Sequence, residues 1–109
     1  MSCEVYLLKS KSWIPGWGQY ALGFRWRDGH ILVCHPEKDA QGLRYAKWHS
    51  NNTGNFDHRA WNPTLLTTTD IQEEDVKYSA KNNIHNGQSV TTHKWVAHLA
   101  KVFNVPIEE

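Results

Sequence analysis

Two stretches of the chain carry regular hydrophobic patterns, one with the period of a strand and one with the period of a helix. From Gln19 to Trp26, Tyr20, Leu22, Phe24 and Trp26 point one way and Gln19, Ala21, Gly23 and Arg25 the other. Arg27-Asp28-Gly29 supplies turn chemistry, and His30 to His35 (HILVCH) returns as the partner strand, which Pro36 is expected to end. Near the other end, Trp95, Val96, Leu99, Val102 and Phe103 form one stripe of a helix beginning at Thr91 or Thr92. Lys94, His98 and Lys101 lie on its opposite face.

Weaker patterns fill in the rest. Glu4 to Lys9 (EVYLLK) is β-rich and mostly apolar, as expected of a strand covered on both faces. Leu43 to His49 reads as a further strand. Ser50 to Asn55 is a turn cluster, and Phe56 to Thr69 has no clean period beyond a short strand at Leu65 to Thr67. Thr69-Asp70-Ile71-Gln72 has capping-box spacing, and Glu73, Glu74 and Asp75 suit the positive end of a helix dipole. This predicts a helix to about Asn83, with Val76, Ala80 and Ile84 recurring on one side. The expected architecture is one α+β domain over residues 1–109: a small antiparallel sheet from the N-terminal half, with two C-terminal helices packed on it.

Composition narrows the function classes. A chain of 109 residues with 39% hydrophobic and 21% charged residues has globular composition and room for one core. Twelve basic and eleven acidic residues leave a net charge of +1, and the basic ones are scattered. That balance argues against nucleic acid or acidic lipid as partner. No signal-peptide pattern or bilayer-length apolar run is present, and Cys3 and Cys34 read as reduced thiols, so a cytoplasmic location is expected.

Candidate chemistry is sparse. Seven histidines occur without HExxH, CxxC or HxH spacing, and Cys34 and His35 point to opposite faces of one strand, so neither a metal nor a cofactor is expected. Cys34 sits in an apolar run and reads as a buried, inert thiol. Asp57-His58-Arg59 joins an acid, an imidazole and a fixed cation on an irregular loop, making His58 and Asp57 the catalytic candidates if the protein is an enzyme. Ser12 to Tyr20 carries Trp13, Ile14, Trp17 and Tyr20 beside glycines and a proline. Such aromatics favour binding hot spots.

Two resemblances bear on these readings. Gly16-Trp17-Gly18-Gln19-Tyr20-Ala21-Leu22-Gly23-Phe24, the element order and the final helix resemble a circularly permuted papain-like hydrolase. That resemblance implies a His on an early strand and a Cys at the start of a later helix. Here Gln19 and Thr91-Thr92-His93 stand in those places, so it implies a degenerate scaffold without that chemistry. Val5-Tyr6-Leu7-Leu8, followed by Tyr20 and Gly23, resembles the GIY-YIG nucleases with the second motif not intact. The expectation is therefore a small accessory binding module that captures a ligand or blocks a partner protein through the aromatic loop. The alternative is a small hydrolase or nuclease using His58 and Asp57, with Cys34 or His49 as further candidates. Monomer and homodimer both fit.

Overall fold

The computed structural model describes residues 2–11, 20–38, 44–82, 84–85 and 92–107. Strands β1 (Ser2–Ser10), β2 (Tyr20–Trp26), β3 (Ile31–Lys38), β4 (Arg44–Asn51) and β5 (Trp61–Asp70) precede helix α1 (Glu73–Asn82). A two-residue strand β6 (Ile84–His85) and helix α2 (Thr92–Val102) follow. The strands form one antiparallel sheet in the order β5-β1-β2-β3-β4-β6, and both helices pack on it. The expected α+β architecture is the observed one.

The alternation read in β2 sorts its side chains between two apolar clusters, one on each face of the sheet. On the helix-covered face, Leu22, Phe24 and Trp26 join Cys3 and Val5 of β1, Leu32 and Cys34 of β3, and Trp95, Val96 and Leu99 of α2. On the opposite face, Leu8, Ala21, Ile31, Val33 and Phe56 form a smaller cluster, with Tyr6 and Trp61 packed against it. β1 contributes to both clusters, Cys3 and Val5 to the helix-side one and Leu8 and Tyr6 to the other, which is why it reads as apolar on both sides.

The β2–β3 turn follows its sequence signature. Gly29 has φ +92°, the Asp28 carboxylate accepts from the His30 backbone N–H, and the Trp26 N–H donates to the His30 carbonyl. Pro36 does not end β3, which runs on to Lys38 against β4. The ladder to β2 stops at the Leu22–Cys34 pair, however, so the missing proline donor falls beyond that pairing.

Three further expectations are corrected. β5 is ten residues long rather than a short strand at Leu65 to Thr67; it is an edge strand, where Pro63 is tolerated. Thr69 and Asp70 belong to its ladder, opposite Cys3 and Ser2, so the capping box does not form. Helix α1 instead begins at Glu73, where the Gln72 carbonyl accepts from the Asp75 and Val76 N–H groups. Val102 is exposed rather than part of the core stripe of α2. That helix closes with Asn104 at φ 57°, the Asn104 N–H donating to Lys101 and the Val105 N–H to Ala100, a Schellman arrangement that buries Val105.

Candidate binding site on the open sheet face

The helices cover one face of the sheet; the other is partly covered by the β4–β5 loop, whose anchor is Phe56. Its ring lies over Gly23, where a Cβ would come within 2.9 Å of both the Phe56 ring and Leu8 Cδ1. Tyr6 meets Phe56 edge to face at 5.3 Å. The loop is also tied to the β2–β3 turn, since the Gly54 N–H donates to the Gly29 carbonyl at 2.8 Å. Gly23 thus acts as the seat that lets a distant loop dock against the strands.

Beside this plug stands Arg25, opposite Glu4 in the β1–β2 register. Its Nε donates to Glu4 Oε1 at 2.7 Å and its Nη2 to the Tyr6 hydroxyl at 2.7 Å. The guanidinium carbon lies 5.2 Å from the Tyr6 ring centroid. The hydrogen bond from Arg25 holds the Glu4 carboxyl below its ordinary pKa, and the same bond raises that of Arg25. Burial raises the Tyr6 phenol.

Two open hollows meet at Arg25. One, of about 430 Å³, is lined by Glu4, Arg25, Arg27, Gly29, Gly54 and Thr68 among others. The other, of about 400 Å³, is lined by Tyr6, Arg25, Asn55, Phe56, His58 and Pro63. The first is polar and charged, the second largely aromatic and apolar.

A second polar cluster lies further along the same face. His35 is buried, and its Nε2 is 3.0 Å from Nε2 of the exposed His49. The ring planes differ by 14° and the centroids are 5.1 Å apart. Centroids so much farther apart than the nitrogens, in nearly parallel rings, place the imidazoles end to end: one ring donates its N–H and the other accepts. Burial, then the charge of His49, pushes the His35 pKa down to about 4. Glu37 Oε1 approaches His35 Nδ1 at 3.7 Å.

The candidates from sequence fall into different places. Trp13, Ile14 and Trp17 lie outside the described residues. Tyr20 is half-buried against the helix-side core and meets the His93 ring edge to face at 5.0 Å. His58 lines the apolar hollow, but the Asp57 carboxylate is engaged by Arg59, through its backbone N–H at 3.0 Å and its Nε at 3.3 Å. The Arg59 backbone bond also lowers the Asp57 pKa. Cys34 is buried on the helix-side face with its thiol pushed up to about 12, and the sheet separates it from His49. Among the described residues, no group of three or more His, Cys, Asp or Glu could hold a metal ion. No described helix is long and apolar enough to cross a membrane.

Sequence reasoning placed Arg25 on the polar side of β2 without marking it as functional. The available signal was an arginine on the face of a strand opposite its apolar residues. Comparison with protein-family models, curated proteins and solved structures finds no significant match for this chain.

Proposed function

We propose that this domain is a small accessory binding module that captures a small-molecule ligand on the open sheet face around Arg25. The observation that carries the reading is the guanidinium held between Glu4 and Tyr6 where the two hollows meet. A cation fixed by its neighbours before a ligand arrives loses little freedom on binding, which favours affinity. Each hollow also falls within the roughly 300–1,000 Å³ typical of small-ligand sites. A fragment screen followed by backbone amide NMR tests this. Hits should shift the amides of Tyr6, Arg25, Phe56 and His58 together; hits that avoid this face, or none at all, would refute the reading.

The aromatic segment Trp13, Ile14 and Trp17 is proposed as a contact for a partner protein. Acrylamide quenching with thermal melts of Trp13→Ala and Trp17→Ala tests it: shielded indoles and strongly destabilised variants would remove it. A second reading, a small hydrolase, is favoured by one observation, the end-to-end contact of exposed His49 with buried His35. That contact leaves His49 Nδ1 as the ring nitrogen facing away from His35, and Nδ1 is a base in the tautomer whose Nε2 donates to His35. In that reading His49 is a candidate base in addition to His58 and Asp57, the Oδ1 of Asp57 accepting from Arg59.

A further inference from the structure

The two hollows differ in chemistry yet share one side chain, and this difference specifies a ligand. Glu4, Arg25 and Thr68 form one cross-strand row of the open face, and Tyr6, Gly23 and Leu65 form a neighbouring row. The first row opens into the hollow that also holds Arg27, the second into the hollow walled by Tyr6, Phe56 and Pro63. A guanidinium has five N–H donors, and among the described residues Arg25 uses one on Glu4 and one on Tyr6. The other three are taken by no described residue. Arg25 and Arg27 together outweigh the single Glu4 carboxylate on the polar side.

We infer that the ligand is a small organic oxyanion, a flat apolar group bearing a carboxylate or phosphate. Its anion is held by Arg25 and Arg27, and its apolar body lies between Tyr6, Phe56 and Pro63. The inference rests on the binding-module reading above and adds the ligand class to it. Arg25 offers a fork suited to two oxygens at once, and Arg27 adds a second cation at the rim. Glu4 and Tyr6 act as positioning residues: each takes one guanidinium donor and fixes where the others aim. The aromatic wall supplies apolar area that an inorganic anion would leave unused.

Isothermal titration and amide NMR with five probes would decide the matter: phenyl phosphate, phenylacetate, benzyl alcohol, inorganic phosphate and acetate. The expected result is that phenyl phosphate or phenylacetate binds at least tenfold tighter than benzyl alcohol and than its own bare anion, and shifts amides on both rows. Arg25→Gln should abolish that advantage while leaving the melting temperature nearly unchanged, and Arg27→Gln should reduce it. Benzyl alcohol binding on this face as tightly as the two aromatic anions would overturn the oxyanion inference and leave the binding-module reading standing. Bare phosphate or acetate binding as tightly as its aromatic counterpart would overturn the role of the aromatic wall, and the inference with it. Failure of all five to perturb this face would count against both.

Discussion

The buried half of the histidine pair makes stability depend on pH in a defined direction. His35 has a pKa of about 4 in the folded protein against 6.5 for an unperturbed imidazole. Between those values the unfolded chain binds a proton that the folded protein refuses, so acidification favours unfolding. Stability is complete above pH 6.5, falls as pH drops toward 4, and stops changing from this source below that. Linkage over this 2.5-unit gap removes about 2 kcal/mol by pH 5 and about 3 kcal/mol by pH 4, a large share of the roughly 5–15 kcal/mol that holds most domains together. Urea melts at half-unit pH steps should show the slope, and His35→Gln should flatten it by close to one proton. The ring itself offers a check that needs no variant: its NMR shifts should stay those of a neutral imidazole until pH nears 4. A ring titrating near 6.5, or equal slopes in wild type and variant, would refute the reasoning.

Other outcomes follow from the packing. Phe56→Ala should cost about 3–5 kcal/mol, as large-to-small core changes do, and should also release the loop that forms the apolar hollow; thermal melts and amide exchange at residues 54–58 would show both. Gly23→Ala should destabilise by about 1–3 kcal/mol, because its Cβ would press on Phe56 and Leu8. In Phe56→Leu, with the ring gone, the same change should cost measurably less. Leu99→Ala, in the helix-side cluster, should cost about 2–5 kcal/mol without altering the binding proposed for the far face. Cys3 and Cys34, with thiols pushed up to about 12 chiefly by burial, should react with a thiol reagent slowly when folded and rapidly in denaturant.

The fold was legible wherever a single period governed a stretch. β2 alternates without interruption, and in α2 Trp95, Val96 and Leu99 fall on one stripe, so both could be read directly. β5 could not be, for a physical reason. The register to β1 shifts between Val5 and Tyr6, so Tyr6 faces Leu65 and Val5 faces Thr67. Leu66 is the extra residue, and the side-chain alternation changes phase there: Trp61, Pro63 and Leu65 lie on the open face, followed by Thr68. A strand whose period breaks in the middle and whose interior holds a proline reads as irregular. The capping box failed differently. Its spacing was correct, but pairing with Cys3 engages Thr69 in the sheet, so the helix starts three residues later than that cap would have set it.

The site was harder to read than the fold because it is made of residues that meet only after folding. Arg25 on β2, Glu4 and Tyr6 on β1, and Phe56 and His58 on the β4–β5 loop share no motif and no spacing. The β1–β2 register sets Arg25 beside Glu4 and Tyr6, and Gly23 leaves room for the Phe56 ring that docks the loop next to them. Asp57 and His58 are adjacent in sequence, which made them look like a unit. In the folded loop, however, the carboxylate turns back on Arg59.

The same geometry separates what stabilises this molecule from what the proposed binding face would offer a ligand. Arg25 and Glu4 keep side-chain exposures of 33% and 38%, and ion pairs so open to water contribute at most about 1 kcal/mol. The larger stabilising term is the apolar cluster beneath the helices, where Phe24, Trp95 and Leu99 are almost completely buried. The Glu4–Arg25–Tyr6 network therefore adds little to holding the sheet together. Its effect is to restrict a guanidinium that would otherwise sample many rotamers, and that restriction matters most when something binds to it. The plug on that face is a single ring, so the ring's removal should weaken the site and the fold together, whereas Arg25→Gln should weaken the site alone. That contrast is what a binding face built beside the main core, and not within it, requires.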